Sequence, residues 1–325
     1  MRNHWVWAIP TAVVCLSLFA CRTTGPVTEA SADPAGCAEC HLEVYREWQA
    51  STHAKAWVST EFKKATDDYA KAECLGCHAP ESLFASKAGP PAVRTERREH
   101  GVDCHSCHVD QGVLVGPHGA QRGALLQAHP IRKEGLRYRT SALCARCHQV
   151  TAAEVARFSE GTLGIDPTCQ ECHMSRVTRK LSGDAASFGD DAVRQRRHEF
   201  TLSGLRDSER PIVDVSAVRT REAGQVAVEV TIVNRILHLI PTAESVDDHG
   251  TAALTLIAQG ADGAEVGRDE HHFKKSDQTQ LVPNEPRVVT ATFPAEARKL
   301  VLRLERDPGV GRSGLLLHAS EQALD

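Results

Sequence analysis

The chain has 325 residues, and at about 150 residues per domain this length predicts roughly two domains. Its 38 Lys and Arg against 42 Asp and Glu give a net charge of -4, which argues against a nucleic-acid binder that works by broad charge attraction. Aromatic residues make up only 5% of the chain, whereas 12 Cys and 17 His are present. An ordinary core would lack large side chains, so we look for function among the cysteines and histidines.

The first 21 residues are typical of an export signal. An apolar run from Trp5 to Ala20 follows a short polar start and is shorter than the roughly 18 residues that a membrane-spanning helix needs. The segment ending in Cys21 resembles a bacterial lipoprotein box, which predicts lipidation of Cys21; a plain cleaved signal and an uncleaved anchor are the alternatives. We expect an exported protein on the periplasmic side or in the outer membrane as a lipoprotein, with the cell surface as a further destination.

Ten of the cysteines form five copies of one motif, in which two Cys are separated by two residues and followed directly by His. The copies are Cys37, Cys40 and His41; Cys74, Cys77 and His78; Cys104, Cys107 and His108; Cys144, Cys147 and His148; and Cys169, Cys172 and His173. This is the signature of c-type haem attachment, in which both thiols add to one haem and the His is the proximal ligand of its iron. The sequence therefore predicts five covalently bound haem c groups.

Other uses of paired cysteines fit this pattern less well. Zinc ribbons combine such pairs in twos and do not require a His after each pair. A thioredoxin-type redox motif would occur once, and structural disulfides would have no reason to repeat one gap five times. All five Cys pairs have the same gap and are followed directly by His, which favours haem attachment over these alternatives.

The spacing of the motifs predicts haems in contact with one another. All five motifs lie within residues 37–173. So little polypeptide cannot enclose each haem in a core of its own. We expect the porphyrins to replace the missing aromatic core and to form a path for electrons.

The second axial ligand of each iron decides between electron transfer and chemistry on a bound molecule. A distal His closes the iron, whereas an empty position admits a small molecule. His53, His118, His129 and His198 are candidate distal ligands. We favour His129 over His118, and for His53 the alternative is a buried core His. Enough His are present to close every haem, so closed sites are the expectation.

Several segments resemble the multihaem c-type cytochromes of the superfamily that includes the nitrifier tetrahaem cytochromes and hydroxylamine oxidoreductase. The likeness lies in the first motif with Tyr45, Trp48, Ser51 and His53, and in Gly101-Val102, Gly116-Pro117, His129-Pro130 and Thr168 to Met174 near the later motifs. It covers about residues 37–200 and implies a mostly helical domain with stacked haem pairs and bis-His ligation. Oxidising members use a haem cross-linked to Tyr and related nitrite reductases use a Lys-ligated haem. No Tyr has an equivalent setting here and all five motifs end in His, which favours a carrier over an enzyme.

A different pattern begins near residue 206, where Cys is absent and β-branched runs alternate. The runs are 212–218, 225–233, 252–257, 287–293 and 300–304, with a hairpin turn at Asp262-Gly263. They predict an immunoglobulin-like β-sandwich. The stretch Asn234 to Thr242 resembles a turn that, in related multihaem cytochromes, sends a His across to a haem. The resemblance implies that His238 is a distal ligand; the alternative is a loop His at the edge of the sandwich.

Together these patterns predict an α+β multidomain protein. Its parts are a signal at 1–21, a linker at 22–36, a mainly α-helical, loop-rich pentahaem domain at 37–205 and a β-sandwich domain at 206–325. We expect an electron carrier between redox partner proteins, attached to a membrane if Cys21 is lipidated. The alternatives are an oxidoreductase with one open haem that acts on a small nitrogen or sulfur compound, and a subunit of a larger electron-export or respiratory complex.

Overall fold

A computed structural model describes residues 33–84, 89–118, 129, 131–159, 168–182, 192–201, 211–222, 224–244, 250–307 and 315–324. The predicted export signal, the lipidation site at Cys21 and most of the linker lie outside these residues. The predicted boundary between residues 205 and 206 does so as well, and it stays a prediction. Within the described ranges, no helix is long and apolar enough to cross a membrane.

The N-terminal region consists of short helices joined by loops. The α-helices are α1 Pro34–Ala38, α2 Leu42–Ala50, α3 Thr60–Ala65, α4 Ala72–His78, α5 Cys104–His108, α6 Gln149–Ser159 and α7 Cys169–His173, and 3-10 turns lie at Arg98–His100, Arg137–Arg139 and Cys144–Arg146. Isolated helices of this length are marginal in water. Their stability must therefore come from caps and from the groups that pack around them.

Side-chain caps start three of the helices that carry Cys of the repeated motif, namely α1, α5 and α7. Asp33 accepts a hydrogen bond from the backbone N of Ala35 at the start of α1. Asp103 caps α5 by accepting from the backbone N of Ser106 at 3.0 Å. Thr168 opens a capping box at α7. Because a cap fixes the first turn, it also fixes the positions of the two Cys in that turn.

The expectation of a mainly α-helical haem domain is not supported by the helix content of the described residues. More of the described residues lie in strands than in helices, and the longest helix, α6, has 11 residues. Ordinary apolar clusters around the motifs are small: one contains Leu83, Phe84, Val115 and Leu143. Long helices need an apolar stripe facing a protein core. A region with so small a core has no surface against which long helices could pack.

Two small sheets and two larger sheets complete the described part of the fold. The strands are β1 Val109–Asp110, β2 Val113–Gly116, β3 Arg132–Lys133, β4 Arg176–Arg179, β5 Val193–Arg196, β6 Val213–Glu222, β7 Gln225–Asn234, β8 Ala252–Gln259, β9 Glu265–Phe273, β10 Pro286–Pro294, β11 Lys299–Arg306 and β12 Leu315–Ala323. The small sheet has the order β1-β2-β3, and β4 pairs with β5. The two larger sheets, β10-β7-β6 and β12-β11-β8-β9, form the C-terminal β-region.

The main apolar core lies between the two sheets of the C-terminal β-region. Buried and partly exposed positions alternate along β7 and β8, as expected for strands with one face on a core. Val230 and Ile232 of one sheet join Leu254 and Leu302 of the other in a single buried cluster. The predicted turn at Asp262-Gly263 connects β8 to β9, and Gly263 has a φ of +82°, which glycine tolerates best. The immunoglobulin-like topology stays a prediction.

Candidate haem-binding site

The five Cys pairs lie on helical turns. The first motif overlaps α1, the second ends α4, and the third and fifth form α5 and α7. The fourth motif lies on the 3-10 turn that precedes α6. A helical turn places residues i and i+3 on one side, so both thiols of a pair face the same way. The ten described cysteines are half-buried and form no disulfide. This geometry suits the attachment of one porphyrin edge to each pair.

Hydrogen bonds at Nδ1 fix the rings of the motif histidines. The Nδ1 atoms of His41, His78 and His108 lie 2.6, 2.7 and 3.0 Å from the carbonyl oxygens of Leu181, Ala56 and Val115. His173 interacts with the backbone of Thr201. A Nδ1–H donated to a carbonyl fixes the tautomer that leaves Nε2 available to a metal.

His148 differs because its Nδ1 lies 3.0 Å from the carboxylate Oε2 of Glu244. This hydrogen bond raises the pKa of His148. The same bond lowers the pKa of Glu244, although burial of this carboxylate acts in the opposite direction. The carboxylate is therefore ionised where it meets the ring.

Four of the five motif histidines face a second imidazole. The pairs, with the distances between ring centres, are His41 with His129 at 6.2 Å, His148 with His53 at 6.3 Å, His108 with His198 at 6.2 Å and His173 with His238 at 6.5 Å. An imidazole nitrogen binds a transition metal such as zinc at about 2.0 Å, and roughly 1 Å more separates that nitrogen from its ring centre. Two rings on opposite sides of one ion are then about 6 Å apart, so the four pairs fit a bis-His iron.

Burial keeps several of these imidazoles neutral, the form that binds metals. Desolvation lowers the pKa of His53, His173 and His198 to about 4. Nδ1 of His53 is buried and has no hydrogen-bond partner among the described residues. An imidazole buried at this cost fits a ligand better than a filler of ordinary core.

The ring of His78 has different surroundings. Phe62 stacks on it at 3.7 Å between ring centres and 6° between planes. Phe62 belongs to an apolar cluster with Trp57, against which Tyr69 packs. Among the described residues, no second imidazole faces His78.

The remaining predicted site residues are placed as follows. His118 is exposed and faces none of the motif histidines within the described residues. Of the two candidates between the third and fourth motifs, His129 is the one that lies opposite a motif ring. Cys21 lies outside the described residues.

Thiols of different motifs approach one another. The side chain of Cys37 lies beside that of Cys104, Cys77 beside Cys147, and Cys144 beside Cys169. The first motif is thus adjacent to the third, the second to the fourth, and the fourth to the fifth.

Sequence reasoning missed a carboxylate that positions His198. Glu47 accepts two hydrogen bonds from Arg179, at 2.7 and 2.9 Å, and one from the backbone N of His198 at 3.0 Å. Although burial opposes it, the bond from Arg179 lowers the pKa of Glu47. Glu47 lies on α2 and the two groups it holds lie more than 100 residues away. No local pattern marks such a contact.

Two further glutamates join the N-terminal region to the C-terminal β-region. Glu244 follows β7, and its Oε1 accepts from the backbone N of Val150 and Thr151 at 3.0 and 3.2 Å, in the first turn of α6. Glu154 on α6 accepts in return from the backbone N of Leu239 and Ala243 at 3.1 and 2.7 Å. We call this pair of contacts the glutamate clamp. It holds the loop that carries His238 against the helix that follows the fourth motif.

Comparisons with known proteins point to c-type cytochromes. Residues 36–109, which include the first three motifs, match the family model described as cytochrome c554 and c-prime. A search of curated protein sequences finds no match. The structure is similar to that of a penta-heme cytochrome c552 from Thermochromatium tepidum, with a TM-score of 0.58, 18% identity, and coverage of 88% of this chain and 97% of that chain.

Other similar structures cover about a third of the chain. A hypothetical protein from Pyrococcus horikoshii OT3 has a TM-score of 0.22 and 23% identity over 34% of this chain and 85% of that chain. A superoxide reductase in the oxidised state has a TM-score of 0.23 and 16% identity over 36% of this chain and 91% of that chain. These scores carry no argument about function. The family match and the cytochrome fold support a multihaem c-type cytochrome, an electron-transfer haem protein with covalently bound haem c.

Proposed function

We propose that the chain is a pentahaem c-type cytochrome that carries electrons between partner proteins through closely packed haems. The observation that carries this proposal is the set of four facing imidazole pairs, each with ring centres 6.2–6.5 Å apart. In each pair the motif His is the proximal ligand and the facing His is the distal ligand. A haem closed on both sides exchanges electrons but binds no substrate at iron.

The contacts between motifs support a continuous path. Thiol contacts join the first motif to the third, the second to the fourth and the fourth to the fifth. Cys107 of the third motif and Cys147 of the fourth also pack against the same apolar cluster. The path therefore runs through haems one, three, four and five, with haem two joined at haem four. The resemblance to nitrifier tetrahaem cytochromes and hydroxylamine oxidoreductase is consistent with such stacking.

A second candidate function rests on His78. Among the described residues it alone of the five motif histidines faces no imidazole, and this contrast favours an open iron at the second haem. Such a site would suit an oxidoreductase for a small nitrogen or sulfur compound.

Protein-film voltammetry separates the two functions. A carrier gives five reversible one-electron equivalents, and its current is unchanged by nitrite, hydroxylamine or sulfite. A catalytic wave with any of the three would make the enzyme the better account. Fewer than five reversible equivalents would contradict both.

Export and membrane attachment belong to the same proposal. The apolar run before Ala20 and the lipoprotein-like segment ending in Cys21 support an extracytoplasmic, lipid-anchored protein. With Cys21→Ala, the cytochrome should leave the membrane fraction and appear in the soluble exported fraction. Equal membrane retention of both forms would contradict the lipid anchor.

A further inference from the structure

The motif histidines differ in the group that accepts a hydrogen bond from the ring nitrogen opposite iron. Neutral carbonyl oxygens serve His41, His78 and His108. At His148 the acceptor is the carboxylate of Glu244, 3.0 Å away. An imidazole that donates to a carboxylate is more basic than one that donates to a carbonyl, and a more basic ligand favours ferric over ferrous iron.

The carboxylate of Glu244 is held in one place by three donors. One oxygen accepts from His148, and the other accepts from the backbone N of Val150 and Thr151. The backbone donors belong to the first turn of α6, where unpaired N–H groups favour negative charge. Glu244 therefore stays beside the ring.

We propose that Glu244, contributed by the C-terminal β-region, lowers the reduction potential of the haem at Cys144 and Cys147 by acting through His148. Glu244 is a positioning residue, because it acts through its hydrogen bond to the ring of His148. The proposal rests on the haem attachment and the His148 ligation proposed above. It goes further because it assigns the β-region a role in setting the potential of a haem attached to the other region.

The glutamate clamp links this potential to docking of the β-region. Glu154 anchors the loop that contains Leu239 and Ala243, and Glu244 directly follows that loop. A movement of the β-region away from α6 would remove the carboxylate from His148. The haem would then have a higher potential and become a better electron acceptor.

Glu244→Gln tests the proposal, because Gln keeps the size and an acceptor oxygen but removes the charge. In a spectroelectrochemical titration of the holoprotein, the reduction potential of one of the five haems should rise by about 59 mV. For a one-electron couple, this rise corresponds to a tenfold change in the reduction equilibrium. The other four components and the low-spin spectrum should stay as in the unaltered protein. His53→Ala identifies which haem has shifted, because this variant removes the haem at Cys144 and Cys147 from the low-spin set.

Glu154→Gln is the matched control, because it makes the same chemical change in the same clamp without contact to a motif His. It should leave the component in place, and Glu244→Asp, which keeps the charge, should move it less than Glu244→Gln does. Five unmoved components in Glu244→Gln, with five haems by mass, would overturn the tuning. Gln at position 154 still offers an acceptor oxygen to the loop and leaves the charge of Glu244 in place. An equal shift in Glu154→Gln would therefore also overturn the proposal, because the shift would then not depend on the charge beside His148. A mass with fewer than five haems in the unaltered protein would instead contradict the proposed function.

Discussion

A distal histidine binds an iron only if its ring is held opposite the proximal ring while the iron changes charge. Here burial lowers the pKa of His53 and His198, so both are neutral near pH 7. Glu47 holds the backbone at His198 in place by accepting a hydrogen bond from the backbone N of that residue. The position of the proposed ligand His198 therefore depends on a group remote in sequence.

Removal of His53 should open one haem. In His53→Ala the iron bound by His148 loses its facing imidazole, and one additional high-spin haem should appear in the electron paramagnetic resonance spectrum. His272→Ala is the control, because His272 lies half-exposed on β9 and pairs with Glu270. An unchanged high-spin signal in His53→Ala would contradict the assigned pair.

At the scale of elements, the short helices depend on their caps and on buried ion pairs. Asp103 combines both roles: it caps α5 and forms an ion pair with Arg94 at 2.6 Å, with only 1% and 10% of the two side chains exposed. Arg94 also donates to the backbone oxygens of Arg97 and Gly101. Removal of the carboxylate charge would leave a cation in a buried position.

Asp103→Asn should lower the free energy of unfolding of the holoprotein by about 3 kcal/mol, because it strands Arg94 while Asn still caps the helix. Asp214→Asn removes the partner of Arg235 in an ion pair whose two side chains are 47% and 43% exposed, and should cost less than about 0.5 kcal/mol. Denaturant unfolding followed by far-ultraviolet circular dichroism measures both. Equal losses in the two variants would show that burial of the Arg94 pair is not what stabilises α5.

At the scale of the whole molecule, the C-terminal β-region places a histidine opposite a motif histidine of the other region. His238 follows β7 and lies 6.5 Å from His173, between ring centres. The loop around it is held by hydrogen bonds from Asn234 Nδ2 to the carbonyl of His238 and from two backbone N–H groups to Glu154. With His238 as the proposed distal ligand, a haem would join the two regions in addition to the glutamate clamp.

His238→Ala should therefore add one high-spin haem although the change is in the β-region. Haem content should stay at five, because both thioether bonds of that haem form at Cys169 and Cys172. Magnetic circular dichroism counts high-spin and low-spin haems separately. A spectrum equal to that of the unaltered protein would show that His238 is a loop His and that the two regions join by protein contacts alone.

Much of this organisation could be predicted from local sequence, and the rest depends on long-range contacts. The five motifs need only five adjacent residues each, and the predicted strands show alternation because one face is buried. Strands β9 and β12 escaped prediction because they are the edges of their sheet and expose much of their length. His41 faces His129, and His53 faces His148, although the two members of each pair are separated in sequence by other motifs. No periodicity in the sequence encodes such pairing.

The measurement that tests the central claim most directly is the intact mass of the exported protein under denaturing conditions, where only covalent groups remain. The account predicts the mass of the polypeptide, after processing, increased by five haems. With Cys169→Ala and Cys172→Ala together, the increase should fall to four. A mass with no haem, or with a number other than five in the unaltered protein, would contradict the account.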